Sequence, residues 1–297
     1  MTQATIVAAL RGASKQYGTL RALDGVDLQV RSGEVFALLG PNGAGKTTAI
    51  SHLLGLLQVD EGSATVFGQA PQLLSSRRRI GAMLQTAGVP DTLTVGELIA
   101  LFRSYYPNPR TVADIAELAG VADLLKRRYG KLSGGQQRRV QFALAIAGRA
   151  EILFLDEPTT GLDIDARQTL WKTIRALVAE GCAIVLTTHY LEEAEALADR
   201  IEVLARGRIV AEGSVAQIRA RVAQRRIRCV STLDHAAIAQ WPTVRSTRCE
   251  GDRIEIVADD AETVVRRLLA EDAALSELEV QRAGLAEAFV EITREAA

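Results

Sequence analysis

A glycine-rich loop between a strand and a helix constrains the fold of this chain more than any other feature. A buried strand is predicted for "VFALLG" (residues 35–40), and a loop that becomes a helix for "PNGAGKTTAISHLLGLL" (residues 41–57). The pattern G-x-x-x-x-G-K-[ST] turns backbone N–H groups towards a phosphate at a helix N-terminus. The residues that match it, with the threonine that follows, are Gly40, Pro41, Asn42, Gly43, Ala44, Gly45, Lys46, Thr47 and Thr48. The sequence therefore predicts an α/β fold with a nucleotide-phosphate site.

Two carboxylates at the end of another buried strand complement this loop. The strand is predicted within "EILFLDEP" (residues 151–158) and ends in Asp156, followed by Glu157. In a phosphate-loop site, Lys46 is expected to reach the β- and γ-phosphates, and Thr47 and Asp156 to hold Mg²⁺. Glu157 can then act as general base on the water that attacks the γ-phosphate. An acidic pair at a strand end is otherwise a solvated surface feature, but the upstream loop favours the catalytic interpretation.

A second phosphate-facing loop lies far downstream, within "KLSGGQQRRVQF" (residues 131–142). Two glycines behind a serine expose backbone N–H groups and a hydroxyl, which together suit an anion. The residues concerned are Ser133, Gly134, Gly135 and Gln136. One nucleotide needs only one phosphate loop, so the second requires an explanation.

Strand and helix patterns alternate through residue 220, which favours a largely parallel sheet covered by helices. A hairpin is predicted to turn at Arg206 and Gly207, whereas residues 86–135 are mostly helical in pattern and are interrupted by Pro107 and Pro109. We therefore expect an α/β fold, a P-loop NTPase core with a mostly parallel sheet, an antiparallel β edge and a helical insert at about residues 86–135.

The pattern changes after about residue 220. Strands are predicted within "DRIEIVADD" and "LSELEVQRA", and helices within "AETVVRRLLAED" and the closing "GLAEAFVEITREA". The closing helix carries Leu285, Ala288, Phe289 and Ile292 as an apolar stripe. Residues 221–297 are thus predicted to form a small C-terminal α+β domain behind a nucleotide-binding α/β domain at residues 1–220.

Composition narrows the class of protein. A net charge of −1 and 4% aromatic residues give neither a basic field nor repeated stacking platforms for nucleic acid. The three cysteines lack metal-ligand spacing and fit a reducing cytosol. Since no apolar run approaches the roughly 18 residues that span a bilayer, work at a membrane would require another chain to cross it.

Four motifs together resemble the ABC ATPase family: "GPNGAGKT", "LSGGQ", "LDEPTTGLD" and the histidine of "LTTH". The resemblance covers about residues 5–220, and "LSGGQ" is far more specific than the phosphate loop (Walker A motif) alone. It implies that two such domains meet head to tail and that the "LSGGQ" of one caps the γ-phosphate bound by the other. The second loop then serves the partner's nucleotide, and two sites form across a two-fold axis.

The resemblance also implies roles for single residues. Tyr17 corresponds to the aromatic that stacks on adenine, although a lone tyrosine is more often a half-buried surface residue. Gln85 corresponds to the glutamine that contacts Mg²⁺ and the attacking water. Asp163 corresponds to an aspartate that crosses to the opposite subunit, and a helix N-cap is a compatible alternative. His189 corresponds to the γ-phosphate sensor, although a strand-end histidine is usually structural.

The ending "GLAEAFVEITRE" resembles the tail of ATPase subunits from bacterial drug, antibiotic and lipid exporters. The implied protein is an ATP-hydrolysing exporter subunit that uses ATP and Mg²⁺ at the cytoplasmic side of the cell membrane. Its expected partners are a separately encoded permease, which sets the transported compound, and a second copy of the chain in the ATP-bound state. No nucleic acid is expected. The alternatives are a soluble ABC ATPase acting on ribosomes or DNA and a nucleotide-gated regulator that does not transport.

Overall fold

A computed structural model describes residues 5–85, 88–221, 225–282 and 284–295. Two compact units are present, and the first ends at Val215 while the second comprises Ala216–Glu295. Residues 86 and 87, the first two of the predicted helical insert, lie outside the described residues, as do residues 222–224, 283, 296 and 297 of the predicted C-terminal domain. The domain limits drawn from the sequence stay a prediction.

Two sheets organise the first unit. Its strands are β1 (Ile6–Tyr17), β2 (Leu20–Arg31), β3 (Val35–Leu39), β4 (Glu61–Val66), β5 (Ile80–Met83), β6 (Ile152–Asp156), β7 (Ala183–Thr187), β8 (Arg200–Ala205) and β9 (Arg208–Gly213). An antiparallel sheet has the order β2-β1-β4, and a larger sheet has the order β5-β6-β7-β3-β8-β9. In the larger sheet all neighbours are parallel except β8 and β9. The predicted mostly parallel sheet with an antiparallel edge is confirmed.

The strands at the centre of the larger sheet carry the core. Every residue of β3, β6 and β7 is buried, as a parallel strand covered on both faces requires. The carboxyl ends of these three strands lie at one edge of the sheet because the strands run in the same direction. That edge holds the glycine-rich loop after β3 and the acidic pair at the end of β6.

The predicted hairpin joins β8 to β9. Arg206 (φ 49°) and Gly207 (φ 76°) both adopt left-handed backbone. Two such residues in succession form the tight turn whose twist matches that of the flanking strands. The hairpin prediction is therefore confirmed at the predicted residues.

Helices surround the larger sheet and fill the insert. They are α1 (Lys46–Leu53), α2 (Leu74–Arg77), α3 (Val95–Arg103), α4 (Val112–Leu118), α5 (Gly134–Ala145), α6 (Ile164–Ala179) and α7 (Leu191–Leu197), with 3₁₀ turns at Ala122–Leu124 and Tyr129–Lys131. Capping boxes at Thr94 and Thr111 begin α3 and α4. No strand occurs in the described part of the insert, residues 88–135, so its helical character is confirmed. None of the helices in the described ranges combines the length and hydropathy of a membrane-spanning segment.

The second unit is an antiparallel sheet with helices. Its elements are α8 (Val215–Ala220), which begins at the boundary residue, β10 (Arg225–Val230), α9 (His235–Ile238), β11 (Val244–Glu250), β12 (Arg253–Ala258), α10 (Ala261–Glu271), β13 (Ser276–Arg282) and α11 (Leu285–Glu295). The strand order is β11-β12-β10-β13. Ile227, Ile256, Trp241 and Leu268 belong to one buried cluster that joins the sheet to α9 and α10. The predicted α+β character is confirmed, and Leu285, Ala288 and Ile292 of α11 are buried.

Asp272 anchors a turn of the second unit, just beyond α10. Its carboxylate accepts hydrogen bonds from the hydroxyls of Ser231 and Thr232 and from the backbone N–H groups of Thr232 and Ala274. These donors favour the charged form, led by Ser231, and lower the pKa of Asp272 to about 2. The carboxylate therefore stabilises the folded state at neutral pH.

We expect Asp272→Asn to unfold at lower denaturant concentration than the wild type at pH 7. Because the folded-state pKa is depressed, this contribution is present above pH about 4 and is lost as the pH falls towards about 2. Chemical unfolding is followed from pH 7 to pH 2. The difference in denaturant midpoint between the variant and the wild type should disappear between pH about 4 and about 2. Asp252→Asn, at an exposed aspartate of the same unit, is the matched control. A difference in denaturant midpoint that does not depend on pH would contradict a stabilising role for the charged Asp272 carboxylate.

Candidate functional site

The glycine-rich loop connects β3 to α1, and two of its glycines are required by close contacts. A Cβ atom at Gly40 would lie 2.3 Å from the carbonyl oxygen of Leu204, and one at Gly45 would lie 2.3 Å from that of Ala22. Gly45 also has φ 108°, a conformation that side chains disfavour. Gly43 (φ 79°) has open space around it, so the backbone conformation is its only constraint. The loop is thus shaped by its neighbours before any ligand binds.

Lys46, the first residue of α1, folds back over this loop. Its Nζ donates to the carbonyl oxygens of Gly40 at 2.6 Å and Pro41 at 3.0 Å. Burial lowers the pKa of Lys46, while Glu157 and Asp156 act in the opposite direction by favouring the ammonium form. A cation is therefore held at the mouth of the loop, facing two carboxylates.

A cleft of ≈ 550 Å³ opens over the loop. Its volume is in the range typical of small-ligand sites. Its described lining residues are Tyr17, Leu20, Ala22, Asn42, Gly43, Ala44, Gly45, Lys46, Thr47, Thr48, Gln85, Asp156 and Glu157. The structure thus brings together residues predicted from four separate segments of the chain. Tyr17 is 45% exposed at the end of β1, so its ring can offer a face to a planar base.

The acidic pair stands at the end of β6, beside the end of β7. Asp156 is buried and accepts a hydrogen bond from the hydroxyl of Thr187. Glu157 has φ 51°, and its N–H donates to the carbonyl oxygen of Thr187 at 2.9 Å. A left-handed backbone at a residue other than glycine costs about 1–3 kcal/mol and persists where the surroundings enforce it. This backbone conformation directs Glu157 away from the direction of β6 and into the cleft.

His189 follows β7, and its side chain contacts the carboxylate of Glu157. Its Nδ1 lies 3.1 Å from Oε1 of Glu157, and Oε2 of the same carboxylate accepts a hydrogen bond of 3.4 Å from Thr160. Both His189 and Glu157 were predicted from the sequence, but Thr187 was missed. Its position, two residues before the histidine at the end of a buried strand, is the signal that could have identified it.

The site's oxygen donors suit magnesium. Thr47, Gln85 and Asp156 line the same cleft and offer a hydroxyl, an amide oxygen and a carboxylate. Mg²⁺ prefers oxygen ligands and usually keeps several positions for water and substrate phosphates. Three oxygen donors from the protein, next to a phosphate loop, therefore fit this ion.

The "LSGGQ" segment lies at the start of α5. The Ser133 hydroxyl accepts from Gln136 N–H at 3.3 Å while the Gln136 side chain accepts from Ser133 N–H at 3.1 Å, which forms a capping box. Ser133 and Gly134 are exposed. None of the residues 133–136 is among the described residues that line the cleft. The segment therefore presents a helix N-terminus to a different surface.

The loop after β6 runs beside this segment. A Cβ atom at Gly135 would lie 2.9 Å from the carbonyl oxygen of Gly161, so the two glycines are in close contact. Asp163 caps α6, because its Oδ1 accepts from Ala166 N–H at 2.8 Å. The N-cap alternative for Asp163 is thus present, and a role across subunits remains compatible with it.

A buried acid in α7 was not predicted. Glu193 is 1% exposed, accepts hydrogen bonds from Thr159 at 3.2 Å and from the indole of Trp171 at 3.3 Å, and its pKa is raised by burial. It ties the loop after β6 to the helix that follows His189. In the sequence it is one of several acids in "LEEAEA", where nothing distinguishes it from a solvated residue.

Comparison with known proteins places these features in one family. The family model "ABC transporter" matches residues 23–160. A daunorubicin/doxorubicin resistance ATP-binding protein of Streptomyces peucetius is 42% identical over 225 residues, which cover 73% of this chain and 68% of that protein. This chain belongs to the ABC transporter family.

Further relatives agree with this assignment to the ABC transporters. A daunorubicin resistance ATP-binding protein of Streptomyces coeruleorubidus is 38% identical over 298 residues, or 94% of this chain and 92% of that one. The Nod factor export ATP-binding protein I of Burkholderia orbicola is 39% identical, with 69% of each chain covered. The prediction of an ATP-binding subunit of the drug and antibiotic exporter branch is confirmed, and these relatives do not favour the two alternative functions.

Solved structures of ABC cassettes resemble the fold. An ATP-binding subunit of an ABC transporter aligns with a TM-score of 0.67 at 28% identity, covering 72% of this chain and 92% of that one. A dimeric cassette in a post-hydrolysis state, bound to ADP and Pi, aligns with a TM-score of 0.64 at 25% identity, covering 70% and 98%. The predicted fold class is confirmed, and the chain is an ABC ATPase.

Proposed function

We propose that this chain hydrolyses ATP with Glu157 as general base and that the reaction drives export through a separate permease. The observation that carries the proposal is the shared cleft of Lys46, Gln85, Asp156 and Glu157, with His189 in contact with Glu157 at 3.1 Å. Glu157 accepts the proton of the attacking water, and His189 senses the γ-phosphate. Lys46 and the loop N–H groups bind the β- and γ-phosphates.

Magnesium is the proposed second cofactor. Thr47, Gln85 and Asp156 would hold it, and bound Mg²⁺ supplies charge neutralisation at the β- and γ-phosphates. The chain's own residues orient the reactants around it, since Thr187 fixes Asp156 by a hydrogen bond. Tyr17 stacks on the adenine at the outer end of the cleft.

A second copy of the chain completes the site. In the proposed head-to-tail dimer, Ser133, Gly134, Gly135 and Gln136 of one subunit face the γ-phosphate bound by the other, and Asp163 reaches across the same interface. The exposed start of α5, which lies away from the chain's own cleft, supports this arrangement. ATP closes the dimer, and hydrolysis reopens it.

The proposed location is the cytoplasmic side of the cell membrane, bound to a permease. Relatives named for drug resistance and Nod factor export support an exporter, and compound selectivity is assigned to the permease. The test is to co-express the chain with a candidate six-helix permease and reconstitute both in vesicles. ATP-dependent substrate transport that is lost with Glu157→Gln supports the proposal. Transport unaffected by that variant would overturn it.

The cross-subunit role of "LSGGQ" predicts an outcome for mixed dimers. Ser133→Arg should leave ATP binding to the monomer nearly unchanged and stop turnover, because its bulk and charge enter the partner's site. A dimer of Ser133→Arg with Lys46→Ala has one site altered in both elements and one site with both elements native. Mixing the two inactive variants should therefore restore part of the turnover, as measured by phosphate release. If a dimer with one native site can hydrolyse ATP, a mixture that stays inactive counts against the cross-subunit role of "LSGGQ".

A further inference from the structure

A buried arginine joins the "LSGGQ" helix to the catalytic strand ends. Arg138 lies in α5, five residues after Ser133, and is 8% exposed. Its Nη2 donates to the carbonyl oxygens of Asp156 and, at 2.6 Å, of Glu157. Its Nη1 donates to the carbonyl oxygen of Leu84 at 3.1 Å and to the side chain of Gln141 at 2.9 Å. One guanidinium thus contacts the backbone at the ends of two neighbouring strands, β5 and β6.

The chemistry of the contacts favours arginine over lysine. A guanidinium presents five donors in a fixed plane, so it can bind carbonyl groups from two chain segments at once, whereas a lysine ammonium acts as a point charge. Within the described residues Arg138 has no carboxylate at ion-pair distance, although Asp156 and Glu157 attract its charge from further away. Burial accordingly lowers the pKa of Arg138. A buried guanidinium that binds carbonyl groups of two chain segments fixes those segments relative to each other, which points to a positional role.

Arg138 holds the strained residue in place. The left-handed Glu157 is fixed on its amide side by the Thr187 carbonyl at 2.9 Å and on its carbonyl side by Arg138. The carbonyl group also accepts a longer bond of 3.3 Å from Thr160 N–H, so the guanidinium supplies the shorter of its two contacts. Without the guanidinium, the left-handed backbone of Glu157 is held less firmly on its carbonyl side. The carboxylate would then move away from His189.

The same side chain also contacts the end of the neighbouring strand, because β5 pairs with β6 and Leu84 follows β5. Leu84, whose carbonyl oxygen accepts from Arg138, directly precedes Gln85, a lining residue of the cleft. The guanidinium therefore links the two strand ends beyond their last paired residues, where the general base and the proposed Mg²⁺ ligand lie.

We propose that Arg138 is a positioning residue for hydrolysis, which holds Glu157 and Gln85 in register by binding the backbone carbonyls of Leu84, Asp156 and Glu157. The proposal rests on the function proposed for Glu157 above. Arg138 is not among the described residues that line the cleft, so it acts through the backbone of those that do. It acts from the helix whose N-terminus faces the partner's γ-phosphate in the proposed dimer.

The first test measures kcat and ATP affinity separately. Arg138→Met keeps much of the side-chain volume and removes all donors, so kcat should fall about 10- to 100-fold, as for a misplaced catalytic group. ATP affinity, measured by calorimetry, should stay within about 3-fold because the phosphate loop is unaltered. Arg138→Lys should be intermediate. Arg139→Met is the matched control, since Arg139 is the next residue of α5 and donates instead to Gly120 in the insert at 2.6 Å.

The second test asks whether Arg138 acts through Glu157. In a Glu157→Gln background, Arg138→Met should reduce the residual single-turnover rate by much less than it reduces the wild-type rate. Equal reductions in both backgrounds, or a kcat unchanged in both Arg138 variants, would overturn the proposal. If Glu157→Gln itself turns over at the wild-type rate, the general-base assignment fails instead, so the two failures are distinguishable. If Arg138→Met does not fold, the same comparison of rates is made with Arg138→Lys in the wild-type and Glu157→Gln backgrounds.

Discussion

Replacing Glu157 with glutamine is expected to keep ATP binding and to lower the rate of hydrolysis by about 10²–10⁴-fold. The amide retains the size of the side chain and can still meet His189, whose Nδ1 lies 3.1 Å from the carboxylate. It cannot accept the proton of the attacking water. Phosphate release at saturating ATP and Mg²⁺ measures the loss, and calorimetry checks that affinity is retained.

The same variant should become a stable dimer with ATP. Since the nucleotide persists between the two subunits, gel filtration at saturating ATP and Mg²⁺ should show twice the monomer mass. Glu192→Gln, an exposed position in α7, is the matched control and should turn over and elute as the wild type does. Monomeric Glu157→Gln under these conditions would count against the head-to-tail model, and retained hydrolysis would count against the general base.

Local pattern was enough to predict several elements in or near the site. The phosphate loop, the strand ending at Asp156 and the hairpin at Arg206 and Gly207 each have a short-range cause, whether glycine spacing, an apolar run or a left-handed turn. The strands β1, β2, β4, β10 and β11 were not predicted. In β10, Arg226 and Arg228 alternate with buried Ile227 and Cys229, but so short a basic run has the composition of a solvated segment.

The contacts that refine the site are long-range and were not predictable. Nothing in "LDEP" indicates that Glu157 adopts φ 51°, because that conformation is enforced by Thr187 from another strand. Arg138 follows two glutamines in a polar stretch of α5, where a solvated face is the usual interpretation, and only the tertiary fold places it against β6. Such residues depend on contacts between segments distant in the chain, which one sequence does not specify.

Replacing Lys46 with alanine is expected to abolish tight ATP binding. The ammonium group lies at the mouth of the loop, 2.6 Å from the Gly40 carbonyl oxygen, where it can exchange loop carbonyls for phosphate oxygens. A charge-assisted hydrogen bond to phosphate contributes about 1.5–3 kcal/mol, equivalent to a loss of about 10- to 150-fold in affinity. Lys172→Ala, an exposed lysine of α6, is the control for lost charge. Calorimetric titration with Mg-ATP decides: equal affinity in Lys46→Ala and the wild type would contradict the phosphate-binding assignment of this loop, since no other residue of the motif supplies a full positive charge.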